Sequence, residues 1–184
     1  MYVKSKILLS ILLYALTACA KQEPMEQLID RVFAVAKEQC VEMDSHLTDN
    51  TLPRTLSADG KLVTSSRFWW CSGFYPGSSA ASDVYKRQGS LWYVYEYTKN
   101  EKVKELAIKN TLKLDSVQYV TRDHDVGFQL NCSYGNAFRL TGNPAYEQVL
   151  YRGALSLSSR FSAKTGVIRS WNFVRKGRDW KYPV

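Results

Sequence analysis

Two histidines and four cysteines are all the soft metal ligands that 184 residues provide. No Cys-x-x-Cys or mixed Cys/His spacing joins them, so no metal site is expected. Strand patterns are almost missing as well, with Val167-Ile168 a brief exception, so the period-two alternation of a sheet protein is not there. Nucleic-acid motifs are absent. The net charge of +8 would suit an anionic ligand, but the lysines and arginines are scattered, as on an evenly solvated surface. No nucleic-acid partner is therefore expected, and the oligomeric state is left open. Nor does any apolar run cross a bilayer comfortably. The longest, Ile7–Leu16, is too short for a spanning helix.

That short run has another meaning. Lys4 and Lys6 precede it and Leu16-Thr17-Ala18-Cys19 follows, the pattern of a bacterial lipoprotein signal cut before Cys19. Residues 1–18 are expected to be removed. Cys19 then carries the lipid that ties the protein to the membrane at the cell envelope, on its periplasmic or outer surface. A plain secretory signal or a short membrane anchor is the alternative. Losing the two lysines lowers the net charge from +8 to +6, and Lys21, Gln22 and Glu23 begin a polar tether. Cys40, Cys71 and Cys132 remain, widely spaced. Buried thiols are the favoured reading for them, with a Cys71–Cys132 disulfide as the alternative.

What the chain does contain is helical periodicity. Over Pro24–Asp44, Leu28, Ile29, Val32, Phe33, Val35 and Ala36 make an apolar face, and Glu26, Asp30, Lys37 and Glu38 face outward. Residues 45–68 read as a long irregular connection, rich in Thr and Ser and broken by Pro53 and Gly60. Leu91–Tyr97 is aromatic and apolar. Asn100 caps a helix over Glu101–Val117 with Val103, Leu106, Ala107, Leu112 and Leu114 inward. Gln129–Leu140 is helical, with Gly135 and Ala137 where a neighbour can approach. Gly142 then ends one helix, Asn143 caps the next and Pro144 takes its first position. The last helix covers Ala145–Phe161, with Tyr146, Val149, Leu150, Leu155 and Leu157 inward. The fold expected is all-α over residues 19–184, with paired helices that suggest an α/α toroid rather than an α/β enzyme.

One segment interrupts this order. Gly77-Ser78 recurs as Gly89-Ser90, and removing Ser79–Ser90 runs Tyr75-Pro76-Gly77-Ser78 directly into Leu91-Trp92-Tyr93. Asp83-Val84-Tyr85-Lys86-Arg87-Gln88 also matches the translation of a transposase adapter. Residues 79–90 are read as a foreign insertion, against the alternative of a genuine surface-loop insertion.

The chemistry centres on Arg122-Asp123-His124-Asp125-Val126-Gly127-Phe128. It sets a carboxylate beside an imidazole where a glycine lets the backbone bend, and carboxylates carry much of the acid/base chemistry on sugars. Taken with Trp70-Cys71-Ser72-Gly73-Phe74-Tyr75-Pro76-Gly77-Ser78, Ser133-Tyr134-Gly135-Asn136 and Gly166-Val167-Ile168-Arg169-Ser170-Trp171, all in order, the chain resembles the unsaturated glucuronyl hydrolases, glycoside hydrolase family 88. The resemblance covers about residues 25–184 apart from the interruption. It implies the (α/α)6 barrel, no cofactor, and removal of 4,5-unsaturated uronic acid from the non-reducing end of lyase-generated oligosaccharides by hydration of a vinyl ether. It also implies that Asp125 is the supporting catalytic carboxylate, that His124 touches substrate, and that Trp70 and Trp171 are aromatic walls of the sugar pocket. Tyr134 and Phe138, at helical spacing, belong to the core; Gln129 and Asn131 receive no role. The family's principal acid/base aspartate lies in an Ile-Ile-Asp-type segment shortly after the position of Trp171. Asp179 comes too early to be it, so the polypeptide as written is expected to be an inactive amino-terminal portion. The related unsaturated rhamnogalacturonyl hydrolases and a non-catalytic sugar-binding lipoprotein are the alternatives.

Overall fold

The computed structural model describes residues 23–77 and 91–170, together with the backbone of Val174–Arg175 and Arg178–Asp179. The signal segment 1–18, the lipid-anchor position Cys19, the interruption 79–90 and the pocket candidate Trp171 lie outside the described residues. Residues 1–32 form one unit and Phe33–Val184 another. In the first, residues 23–32 hold the opening turns of helix α1 (Met25–Ser45), with Arg31 paired to Glu23 at 2.8 Å. The remaining elements belong to the second unit.

The helical hairpins follow their caps. Helix α2 (Phe74–Gly77) is a single turn, and α3 (Leu91–Thr98) is followed closely by α4 (Glu101–Leu112). Lys99 takes the left-handed conformation at φ 52° that reverses the chain. The Asn100 side chain then accepts from the Val103 backbone N–H at 3.2 Å. That bond satisfies one of the donors a helix start leaves over. A 3-10 turn (Asp115–Tyr119) leads to α5 (Val126–Leu130), a widened π turn (Asn131–Gly135) and α6 (Asn136–Thr141). The last three make one continuous helical run, which begins at Val126 and not at the expected Gln129. Gly142 closes α6 at φ 65°, and the Asn143 side chain accepts from the Ala145 N–H to open α7 (Pro144–Ser158). Among the described residues, no helix is long and apolar enough to cross a membrane.

Residues 45–68 correct the sequence reading. They contain an antiparallel hairpin, β1 (Thr51–Leu56) with β2 (Leu62–Ser66), not an irregular connection. Its register shifts between Pro53 and Thr55. Proline gives the ladder no donor, and the shift breaks the alternation by which a strand is recognised. Gly60 turns the hairpin at φ 81°, and Ser57 Oγ bonds both Asp59 and the Lys61 carbonyl. Lys113 is buried and donates to the Thr48 and Thr51 carbonyls at 3.0 and 3.2 Å, which holds the hairpin root to the end of α4. Burial pushes its ammonium below the usual lysine range. Two shorter antiparallel pairs follow α7: β3 (Phe161–Ser162) with β4 (Val167–Ile168), and β5 (Val174–Arg175) with β6 (Arg178–Asp179).

The core gathers Leu52, Leu91, Trp92, Val103, Ala107, Val117, Val126, Leu130, Tyr134 and Ala137, all at most 2% exposed. Tyr134 is in that core and Phe138 packs against it, as expected of both. Val32, Val35, Leu112 and Leu155, expected inward, are instead exposed by about half. Cys40 is buried, which raises its thiol to about 11, whereas Cys71 and Cys132 are half-buried. Asp44, also buried, accepts from Asn110 at 2.6 Å and Lys109 at 2.8 Å. A charge removed from water requires such pairing.

Candidate active site

The site grows from the bend after the 3-10 turn. Asp123 Oδ1 accepts from the Asp125 backbone N–H at 3.1 Å, an Asx-type turn that tightens the chain. The Asp125 carbonyl then accepts from Gln129 N–H at 2.9 Å and starts α5. Asp125 stands at the helix's cap position, yet its side chain makes no capping bond. Its Oδ1 instead faces His124 Nε2 at 3.5 Å. The carboxylate is about a quarter exposed and the imidazole 40%. Burial pushes the Asp125 carboxyl above the usual range, with His124 pulling it down and Asp123 pushing it up. A carboxyl raised in this way exchanges its proton closer to neutral pH than an exposed one does.

An aromatic surface adjoins this helix. Trp70, 42% exposed, meets Phe74 edge-on at 5.9 Å between ring centroids, and Phe74 meets Phe128 edge-on at 4.7 Å. Phe128 is on α5, about one turn beyond Asp125, so the chain of rings ties Trp70 to the carboxylate's own helix. An exposed indole face of this kind can lie against the C–H face of a pyranose. The loop that carries Trp70 is seated on α5 by Gln129, whose amide donates to the Trp69 carbonyl at 2.5 Å and to Ser72 Oγ at 3.1 Å. Cation–π contacts add to it. The Arg54 guanidinium lies 4.2 Å from the Trp69 ring centroid and that of Arg122 lies 5.3 Å from the Phe68 centroid.

Close approach makes that seat possible. A Cβ on Gly73 would lie 2.3 Å from the Gln129 carbonyl oxygen and 2.7 Å from its Cα. Both are backbone atoms and cannot step aside as a side-chain tip would. Gly73→Ala is expected to cost about 1–3 kcal/mol in urea unfolding and to raise the solvent exposure of the Trp69–Trp70 pair in fluorescence quenching. Unchanged stability and quenching would show that the loop is not seated on α5.

The structure thus brings together Asp125, His124 and, through Phe74 and Phe128, Trp70. Gln129, Phe128 and Gly73 are positioning residues to which sequence reasoning assigns no role. The glycine in Cys71-Ser72-Gly73-Phe74 is a visible signal of close approach, but its partner on α5 is not. The π turn at Asn131–Gly135, where Ser133 Oγ returns to the Gln129 carbonyl at 2.7 Å, follows the site directly. Such widened turns recur at functional sites. Among the described residues, no three His, Cys, Asp or Glu side chains group as metal ligands.

No family model matches the chain. It is 30% identical over 138 residues to the unsaturated glucuronyl hydrolase of Formosa agariphila, covering 73% of this chain and 31% of that protein. It is 27% identical over 165 residues to the unsaturated chondroitin disaccharide hydrolase of Streptococcus pyogenes, covering 87% of this chain and 37% of that one. The crystal structure of an unsaturated glucuronyl hydrolase specific for heparin superposes with a TM-score of 0.68 at 36% identity, over 79% of this chain and 36% of that chain. The chain therefore spans about a third of the length of the relatives it matches. These solved relatives are (α/α)6 toroids, and the helical hairpins described above are part of that fold. In both sequence and structure, over the stretch that it shares with them, the chain is a relative of the unsaturated glucuronyl hydrolases, glycoside hydrolase family 88.

Proposed function

We propose that this chain carries the supporting half of the active site of an enzyme that removes 4,5-unsaturated uronic acid from oligosaccharides left by polysaccharide lyases. The observation that carries the reading is the half-buried Asp125 carboxyl, raised by burial and set against His124 beside the Trp70–Phe74–Phe128 surface. Charge development on a distorted sugar ring calls for a fixed carboxylate in a site partly removed from water, where its field is stronger.

In the reaction, a second carboxylic acid gives its proton to C4 of the double bond while water adds its oxygen at C5 and returns a proton to that carboxylate. The hemiketal so formed collapses, the ring opens and the remaining sugar leaves. Asp125 supports the sugar and the charge that develops near C5, and His124 contacts the substrate. Trp70 supplies the apolar wall, with Trp171 as its proposed companion. Loss of the unsaturated-uronate absorbance, when the full-length protein meets lyase-generated chondroitin or heparin disaccharides, tests this. Binding without turnover would favour the sugar-binding lipoprotein, and turnover restricted to rhamnogalacturonan products the related hydrolases.

The lipoprotein reading puts this reaction at the cell envelope. Metabolic labelling with a fatty acid analogue is expected to mark the wild-type protein and not Cys19→Ala; equal labelling of both would remove the anchor from the proposal.

A further inference from the structure

Arg160 stands just after α7, is 8% exposed, and gathers three backbone carbonyls. Its Nε donates to the Arg169 carbonyl at 2.8 Å, Nη2 to the Ser170 carbonyl at 2.7 Å and Nη1 to the Thr121 carbonyl. The β3–β4 hairpin brings Arg169 and Ser170 back to it, and the Arg169 N–H closes on the Arg160 carbonyl at 3.1 Å. A buried guanidinium is costly unless its donors are used. Here they join the entrance of the Asp123-His124-Asp125 bend to the segment that leaves the β3–β4 hairpin. Burial pushes the Arg160 cation down from the usual arginine range and Asp123 opposes that shift.

The Ser170 carbonyl is shared. His124 Nδ1 lies 3.2 Å from the same oxygen that receives Arg160 Nη2. A carbonyl oxygen only accepts, so in this contact Nδ1 must carry the proton. A neutral His124 then presents an unprotonated Nε2, the nitrogen 3.5 Å from Asp125 Oδ1. The ring nitrogen that keeps its proton is set by the bond the other side makes. We propose that Arg160 is a positioning residue of this site: through the Ser170 carbonyl it holds a neutral His124 as the Nδ1–H tautomer, with Nε2 turned toward Asp125 to take that carboxyl's proton and leave the carboxylate facing a charged imidazole. The inference rests on the His124–Asp125 site proposed above, but its tautomer can be read with no substrate present.

The test uses the 184-residue chain with His46→Gln, which leaves His124 as the one imidazole. His46 is exposed just past the end of α1 and pairs with Glu42 at 3.0 Å. With histidine labelled in nitrogen-15, magic-angle-spinning spectra at a pH where the ring is neutral are expected to show Nδ1 protonated. Arg160→Gln is expected to shift the balance toward Nε2–H, and Arg160→Lys, which keeps a cation and several donors, to hold more of the Nδ1–H form. Nε2–H in the parent protein would overturn the proposal. So would an unaltered tautomer in a folded Arg160→Gln chain, or loss of the fold in both variants, since Arg160 would then support the whole unit and not the site. In the full-length protein, Arg160→Lys is expected to lower kcat about 10- to 100-fold by misplacing the site, with KM within about twofold. Absence of turnover in the parent enzyme would instead defeat the proposed reaction and leave the tautomer result standing.

Discussion

Asp125→Asn is expected to lower turnover of unsaturated disaccharides by about 10²–10⁴-fold in the full-length protein while leaving the fold at least as stable as before. The two effects share one cause. Burial raises the Asp125 carboxyl above its ordinary value of 3.8, so the native state binds that proton more tightly than the unfolded chain does. The associated stability is fully present below the ordinary value. It is lost as pH rises through the raised value of the folded state, because the native state must then hold a poorly hydrated carboxylate. Asparagine keeps the shape and removes the charge. The variant's thermal midpoint is therefore expected to gain on the parent's as pH rises from the acid range toward neutral. Melting curves across that range, with progress curves at neutral pH, check both halves. A variant that is destabilised at neutral pH would show that Asp125 supports the fold, and one that keeps its turnover would remove it from the reaction.

Trp92→Ala is expected to cost about 3–5 kcal/mol, a large part of the roughly 5–15 kcal/mol that holds a typical domain together. Trp92 is fully buried on α3, and its Nε1–H donates to Thr111 Oγ1 on α4 at 2.9 Å. Truncation leaves a cavity in the α3–α4 seam that its helical neighbours cannot fill, and deprives a buried hydroxyl of its donor. Trp92→Phe keeps most of the ring volume, so the difference between the two variants separates packing from the hydrogen bond. Urea unfolding followed by circular dichroism measures both. A loss below about 1 kcal/mol for the alanine variant would mean that α3 is not packed on α4 as described.

The helices could be read because their ends are chemically marked. Asn100, and Gly142-Asn143-Pro144, carry caps that act within a single turn, so local sequence suffices to place them. The β1–β2 hairpin could not be read, because Pro53 and the register shift beside it erase the alternation by which strands are recognised. Inward faces were legible only in part. Val103, Ala107, Tyr146 and Val149 are buried as their spacing requires, whereas Leu112 and Leu155 share that periodicity and remain exposed. Periodicity identifies the apolar side of a helix, but whether a neighbour covers each position depends on the packing of distant elements.

The same division runs through the site. Asp123, His124 and Asp125 are consecutive, so the sequence alone establishes that a carboxylate and an imidazole share one bend, and the ordered motifs around them carry the resemblance to glycoside hydrolase family 88. Tertiary structure decides what those groups can do. It frees the Asp125 side chain from capping and raises its carboxyl by burial. It brings Trp70 to α5 through Phe74 and Phe128, and it sets His124 against the Ser170 carbonyl that Arg160 holds. Each of these depends on residues from separate elements meeting in space, and desolvation and hydrogen-bond direction exist only once they have met.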